Sequence, residues 1–134
     1  IWAIWQPHTY SRIRALMSQY LGAFWDADVI VVTEIYAARE SAPEDGFSGS
    51  QIALELKRSM KNHSKSVFFQ PELEDASEFL LNRLEPGDVL LVLSAGDADR
   101  VSAQVLEGLR RTSSTELRDN QINSWRKGMG SQEG

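Results

Sequence analysis

Four short runs of large apolar residues divide the chain, and each run precedes a segment with the spacing of an amphipathic helix. The first run is apolar on both faces, which is typical of a parallel strand that is covered on both sides, and the other three runs also have the length and composition of strands. The segments that follow carry apolar residues at intervals of three and four, which predicts helices with one buried face. The apolar runs lie at residues 1–5, 29–32, 66–69 and 89–93.

This alternation predicts an α/β fold, with a three-layer, mostly parallel Rossmann-like sheet and helices on both of its faces. Ser48 or Ser50 is expected to cap the second helix. We expect the strand order 3-2-1-4, in which the loops after the first and fourth strands flank a crevice. Ligands of open parallel sheets bind in such a crevice, where neighbouring crossovers run to opposite faces.

The chain has 134 residues, an ordinary size for one domain. We expect this domain to occupy residues 1–110. From residue 111 to residue 134 the composition turns polar and rich in glycine, which predicts a polar tail or linker that can be disordered. Because the chain opens on Ile1, already inside an apolar run, we also expect a fragment of a longer protein.

The charge and the absence of cysteine exclude several classes of function. The net charge is −5, whereas nucleic-acid affinity comes mainly from Lys and Arg, so nucleic acid is not an expected partner. Without cysteine, neither a disulfide framework nor a thiolate metal site can form, and we expect no metal site in this chain. No apolar run approaches the roughly 20 residues that span a bilayer, so we expect a cytoplasmic protein with no membrane partner.

The loop after the first strand carries two candidate binding residues, His8 and Arg12. They are four positions apart, so they share one face if the helix begins early. A cation in the first turn opposes the helix dipole, and such local conflicts often mark function. Backbone N–H groups and a guanidinium at a helix start predict a carboxylate or phosphate site. The alternative is that Arg12 is a solvated side chain and His8 bonds a loop carbonyl.

Two further loops carry weaker candidates. Glu34 and Tyr36 follow the second strand, where they could line a pocket or bind Mg²⁺ through one carboxylate; equally, Tyr36 could pack on the sheet. Asp97 precedes the last helix, a position that favours acids without any function. The loop after the first strand has no glycine and no P-loop motif is present, so no ATP or NAD cradle is expected.

Three ordered motifs resemble the Mur ligases, in the branch that joins UDP-N-acetylmuramate to L-alanine. Residues 6–12 (QPHTYSR) resemble its Q-P-H-x-Y-[ST]-R motif, and residues 34–40 (EIYAARE) resemble its D-[IV]-Y-A-A-x-E segment. Residues 84–97 resemble its L-x-x-G-D-x-[VL]-L-x-x-G-A-G-D segment. The resemblance covers about residues 1–110, and it implies the C-terminal domain of a three-domain enzyme without that domain's first segment.

The sequence departs from the family pattern at three of these motif positions. Thr9 stands where many members carry arginine, which removes one cation. Ser94 replaces the first glycine of the G-A-G-D turn, and Glu34 replaces a more usual aspartate. These differences leave the implied fold unchanged but alter the implied contacts.

The resemblance implies an ATP-dependent ligase of peptidoglycan synthesis. ATP phosphorylates the carboxylate of the sugar substrate, and the amine of L-alanine attacks the acyl phosphate to form an amide. ATP and Mg²⁺ would be bound mainly by the central domain, and UDP-N-acetylmuramate by the N-terminal domain, both absent from this chain. The isolated chain is therefore expected to be inactive and to bind no cofactor.

The same resemblance implies roles for individual residues. Arg12 would bind the carboxylate of the incoming L-alanine, and His8 would orient or polarise the acceptor side. No residue of this chain is implied to be catalytic. Further substrate-binding candidates are Thr9, Tyr36 and Glu34, and candidates for a nucleotide-side or closure loop are Ser94, Gly96 and Asp97.

Two other functions remain open at this stage. The first is the related domain of a murein-peptide recycling ligase, which shares the architecture but differs in sequence where this chain has residues 7–12. The second is a non-catalytic doubly wound interaction module, in which Trp2, Trp5 and the polar tail form contact surfaces.

Overall fold

In the computed structural model, residues 1–129 are described, and they alternate strands and helices four times. This alternation confirms the α/β class that the spacing of the apolar runs predicted. In chain order the elements are β1 (Trp2–Trp5), α1 (Tyr10–Leu21), β2 (Val29–Val32), α2 (Gly49–Ser59), β3 (Ser66–Phe69), α3 (Leu73–Leu81), β4 (Leu90–Leu93) and α4 (Asp99–Met129).

The strands form one parallel sheet in the order β3-β2-β1-β4, as predicted. Their register is simple, because Trp2 at the start of β1 pairs with Val29 on one side and with Leu90 on the other. Val29 pairs in turn with Ser66. The carboxyl ends of the strands are therefore aligned, and the loops that follow them meet at one edge of the sheet.

Helices pack on both faces of the sheet, which confirms the three layers. The edge strands β3 and β4 are each covered on one face only, because Phe68 of β3 and Leu91 and Leu93 of β4 are exposed. Successive side chains of β1 point to opposite faces, so that Trp5 packs with the α1 and α2 cluster and Ile4 packs with the α3 and α4 cluster. Ile13 of α1 and Leu56 of α2 are fully buried on the first face, and Val101 of α4 is fully buried on the second. Since α1 and α4 lie on opposite faces, the switch point falls between β1 and β4.

The last helix is longer than the sequence predicted. We expected a polar tail or linker from residue 111, but α4 continues to Met129. Local contacts support the extension, because Arg111 donates to Glu107 one turn earlier at 3.0 Å and no proline interrupts the segment. The polar character was predicted correctly, since the described side chains beyond Leu109 are exposed; residues 130–134 of the predicted tail lie outside the described residues.

Among residues 1–129, no helix is both long enough and apolar enough to cross a bilayer.

Candidate functional site

The candidate site lies at the carboxyl edge of the sheet, where the loop after β1 meets the loop after β4. Direct hydrogen bonds join the two loops, which confirms that they face each other across the switch point. Gln6 is the residue that makes these bonds.

Gln6 is a buried polar residue with both ends of its amide in use. Its side chain is only 7% exposed. Its Nε2 donates to Oδ1 of Asp97 at 2.9 Å, and its Oε1 accepts from the hydroxyl of Ser94 at 2.8 Å. The hydroxyl of Ser94 accepts in turn from the backbone N–H of Gly96 at 2.9 Å. Gln6 therefore holds most of the β4–α4 loop.

His8 and Tyr36 form a second link across the edge of the sheet. They pair as an isolated parallel bridge, and the backbone N–H of Tyr36 donates to the carbonyl of Pro7 at 2.8 Å. Their rings are stacked, with centroids 5.4 Å apart and an interplanar angle of 14°. Nδ1 of His8 is buried and has no hydrogen-bond partner among the described residues. An unpartnered buried nitrogen is rare, which marks His8 as a residue that the fold alone does not explain.

Arg12 shares a surface cavity with His8. This first cavity has a volume of about 240 Å³ and is also lined by Gln6 and Ser94. Within residues 1–129, Arg12 makes neither an ion pair nor a side-chain hydrogen bond, whereas Arg14 on the next turn pairs with Asp45. His8 and Arg12 thus line the same cavity, and the guanidinium of Arg12 is available to an anion.

The start of α1 itself is occupied by a carboxylate of the protein. Thr9 is the N-cap residue, but its side chain makes no capping bond. Instead Glu40, from the loop after β2, accepts from the backbone N–H of Ser11 at 3.1 Å and from its hydroxyl. The backbone N–H groups at the start of α1, which were predicted to bind a ligand, are therefore partly occupied by Glu40. Thr9 does not line the first cavity.

Glu34 bonds the protein backbone. Its Oε1 accepts from the N–H of Ile35 at 2.9 Å and from the N–H of Gly49, the first residue of α2, at 2.6 Å. The expected cap was a serine, but Ser48 makes no capping bond and its hydroxyl lies 2.9 Å from that of Ser50. A carboxylate at a helix start offsets the helix dipole, which explains this substitute cap.

Glu34, Tyr36 and Asp97 line a second cavity, also of about 240 Å³, on the other side of Gln6. The hydrogen bond from Gln6, with a smaller effect of Arg100, holds the pKa of Asp97 below its ordinary value of 3.8. Asp97 is therefore a carboxylate at neutral pH. His8 and Arg12 thus line the first cavity, Glu34 and Tyr36 line the second, and Gln6 lines both; Thr9 lines neither.

The β4–α4 loop is brought into contact with the residues after β1 and β2. Sequence analysis grouped Ser94, Gly96 and Asp97 as a nucleotide-side or closure loop, yet Ser94 lies in the first cavity with His8 and Arg12. Gly96 packs against Tyr36, and a Cβ at this position would lie 2.8 Å from Cγ of that ring. Gly96 is required here by close approach.

The start of α1 does not fit a phosphate. No glycine loop precedes α1, and the carboxylate of Glu40 stands at the start of this helix, where a phosphate would otherwise bind. Among the described residues there is no group of three or more acidic or histidine side chains that could hold a metal ion.

Gln6 is the functional candidate that sequence analysis did not single out. The signal was present, because a glutamine follows directly on a strand that is apolar on both faces. A polar side chain in such a position is buried and must find hydrogen-bond partners. The partners themselves could not be read from the sequence.

Two carboxylates hold the loop between β2 and α2 against α1. Glu40 accepts from Ser11, and Asp45 accepts from the guanidinium of Arg14 at 2.6 Å. The hydrogen bonds from Ser11 hold the pKa of Glu40 below its ordinary value of 4.5. The hydrogen bond from Arg14 likewise holds the pKa of Asp45 below 3.8. Both contacts therefore strengthen the fold when the carboxylates are charged.

The stability contributed by Glu40 and Asp45 is expected to be present at neutral pH and lost in acid. Because their folded pKa values lie below the unfolded ones, the stabilisation is complete above the ordinary values and falls as the pH drops through the folded values. Urea unfolding of the wild type and of the Glu40→Gln/Asp45→Asn variant at about pH 7 and about pH 2.5 checks this. The variant should be less stable at the higher pH only, and an equal difference at both pH values would contradict the expectation.

A parallel sheet with a polar crevice at the switch point between β1 and β4 defines a doubly wound α/β domain. No protein-family model matches the chain. Curated proteins do match it, and all of those compared are UDP-N-acetylmuramate–L-alanine ligases.

The relative from Microcystis aeruginosa is 39% identical over 104 residues, which are 78% of this chain and 21% of the relative. The relative from Nostoc punctiforme is 41% identical over 105 residues, or 78% of this chain and 21% of its own length. The relative from Salinibacter ruber is 36% identical over 115 residues, which are 86% of this chain and 23% of the relative. The chain thus spans about one fifth of the length of the curated relatives that it matches. It belongs to the Mur ligase family.

Proposed function

We propose that the chain is the C-terminal domain of a cytoplasmic, ATP-dependent UDP-N-acetylmuramate:L-alanine ligase of peptidoglycan synthesis. In this enzyme it positions the incoming amino acid for attack on an acyl phosphate. The proposal is supported by the identity of about 40% to ligases of this name. It is also supported by a crevice that carries one free guanidinium.

The observation that carries the proposal is that Arg12 and His8 line the same cavity, the first cavity. The guanidinium of Arg12 has no carboxylate partner among the described residues, and it can bind a ligand carboxylate through two parallel hydrogen bonds. Pockets for drug-sized ligands begin at about 300 Å³, so the smaller first cavity suits a small amino acid.

The chemistry required of this domain is binding and orientation. Amide formation needs the amine nitrogen of the amino acid about 3–3.5 Å from the acyl carbon, with its lone pair free. Arg12 fixes the carboxylate end of the amino acid, which directs the amine out of the cavity toward the reacting carbonyl. The imidazole of His8 lines the same cavity, where it can orient the amine end of the amino acid.

The remaining substrates belong to other parts of the enzyme. Because this chain has no P-loop motif and Glu40 occupies the start of α1, the central domain would bind ATP and Mg²⁺, and the N-terminal domain would bind UDP-N-acetylmuramate. These two domains are the partners proposed for this chain. The isolated chain is accordingly expected to be inactive.

A chimeric ligase tests the proposal. In this protein, hereafter the chimeric ligase, the chain replaces the matching 104-residue segment of the Microcystis aeruginosa relative. We expect the chimeric ligase to form the amide of UDP-N-acetylmuramate with L-alanine and to release phosphate from ATP in equal amount. Product is measured by mass spectrometry and phosphate by a coupled assay.

Two controls make this test decisive. The relative with the segment deleted should form no amide, and the isolated 134-residue chain should neither form amide nor hydrolyse ATP. Steady ATP hydrolysis by the isolated chain would disprove the proposal, because it would require a nucleotide site within this chain. The proposal would also be disproved by a folded chimeric ligase that binds ATP and UDP-N-acetylmuramate but forms no amide with any amino acid.

A further inference from the structure

Gln6 connects the loop after β4 to the imidazole of His8 through a continuous series of contacts. The first contact is the pair of hydrogen bonds from the Gln6 amide to Asp97 and Ser94, at 2.9 and 2.8 Å. Ser94 and Asp97 lie in the same loop, at the two ends of a four-residue segment. Their bonds fix the position of the backbone between them.

The backbone of Gly96, between Ser94 and Asp97, packs against Tyr36. A Cβ at this residue would be 2.7 Å from Oε1 of Gln6 and 2.8 Å from Cγ of Tyr36. Backbone at position 96 is therefore in contact with both side chains. Tyr36 is 38% exposed, so the surrounding contacts must hold its ring in place.

Tyr36 in turn fixes His8. The two residues pair as a parallel bridge, and their rings stack with centroids 5.4 Å apart. The series from Gln6 through Gly96 and Tyr36 ends at the imidazole whose Nδ1 has no partner among the described residues. Gln6 itself also lines both cavities.

The chemistry of this series requires an amide at position 6. Asp97 is a carboxylate and can only accept, whereas the hydroxyl of Ser94 donates, so the residue between them must both donate and accept. Glutamate at position 6 would place two carboxylates in contact. Glutamate with asparagine at position 97 would restore one donor and one acceptor in reversed order.

We infer that Gln6 is a positioning residue for amino-acid binding: it clamps the β4–α4 loop against Tyr36 and thereby orients His8 in the first cavity. This inference rests on the proposed function. Gln6 itself need not touch the amino acid. Its role is to keep the ring of His8 and the wall formed by Ser94 in one arrangement before the amino acid binds.

The first measurement uses the 134-residue chain. In its NMR spectrum, Gln6→Glu should shift the ring resonances of His8 and weaken the nuclear Overhauser effects between His8 and Tyr36. The double variant Gln6→Glu/Asp97→Asn should restore both. Gln51→Glu, the same change on an exposed glutamine of α2, should alter neither. If Gln6→Glu does not fold, Gln6→Met removes both hydrogen bonds without adding charge and is expected to shift the same resonances.

The second measurement uses the chimeric ligase. Gln6→Glu should raise the KM for L-alanine about tenfold without changing the KM for ATP, and the double variant should recover most of the loss. A purely structural defect would lower the active fraction and would leave the KM for L-alanine unchanged.

The possible failures are distinguishable. Unchanged His8 resonances in a folded Gln6→Glu or Gln6→Met chain would overturn the inference, as would equal effects on the KM for L-alanine and for ATP. An unsubstituted chimeric ligase that forms no amide contradicts the proposed function instead, whatever the NMR spectra of the isolated chain are.

Discussion

Replacing Arg12 by alanine in the chimeric ligase is expected to raise the KM for L-alanine about 50-fold and to leave the KM for ATP unchanged. Hydrogen bonds to charged groups contribute about 1.5–3 kcal/mol, and each 1.4 kcal/mol corresponds to about a factor of ten. The effect is large because no other guanidinium lines the first cavity in the described part of the chain. Steady-state kinetics with each substrate varied in turn provide the measurement.

The geometry of the guanidinium allows a finer test. Arg12→Lys keeps the charge but loses the planar pair of donors, so its KM for L-alanine should fall between those of the wild type and of Arg12→Ala. Arg58→Ala is the matched control, because Arg58 is exposed on α2 and pairs only with Glu55 on its own helix. An unchanged KM for L-alanine in Arg12→Ala, or an equal rise for ATP, would remove Arg12 from the acceptor site.

The architecture was predictable because the determining signals are local. Each strand is mostly apolar and each helix repeats at three and four residues, so the element types follow from side chains close together in sequence. The boundaries were less predictable. α4 continues to Met129, through most of the segment that was expected to be a polar tail from residue 111. Helix ends depend on caps and on contacts outside the local pattern.

The site was predictable to the extent that strand ends determine it. His8 and Arg12 share a cavity because both follow β1 closely, and parallel strands bring such loops to one edge. Contacts between distant residues were not predictable. Glu40 reaches the start of α1 from 29 positions away, and Gln6 reaches Asp97 across 91 positions. No periodicity encodes such pairings.

Ser94 illustrates how structure changes the meaning of a motif. In the sequence it is a departure from the glycine of a G-A-G-D turn. In the fold its hydroxyl donates to Gln6 and accepts from Gly96, so the departure adds two contacts that a glycine would lack. The substitution therefore stiffens the wall of the first cavity.

Gly49→Ala is expected to destabilise the fold by about 3 kcal/mol, the upper part of the usual range for added volume in a packed region. Gly49 is buried at the start of α2. A Cβ on it would overlap the carbonyl oxygen of Thr33 and would lie 2.9 Å from Cε2 of Phe69 and 3.0 Å from Cα of Glu34. The backbone cannot move away easily, because Thr33 is fully buried and its N–H donates to Trp5 at 3.0 Å.

Urea and thermal unfolding of the 134-residue chain measure this effect, and the melting temperature should fall by about 10 °C. Gly22→Ala is the matched control, because its Cβ would meet only ordinary contacts, 3.6 Å from Nε1 of Trp25 and 3.7 Å from the carbonyl of Gln19. That variant should stay within about 0.5 kcal/mol of the wild type. If Gly49→Ala is as stable as Gly22→Ala, the loop between β2 and α2 must shift to accommodate the added Cβ. Glu34 would then not have a fixed position in the lining of the second cavity. A loss of stability confined to Gly49→Ala ties the start of α2 rigidly to the end of β2, because the contacts of one small residue then set the position of both.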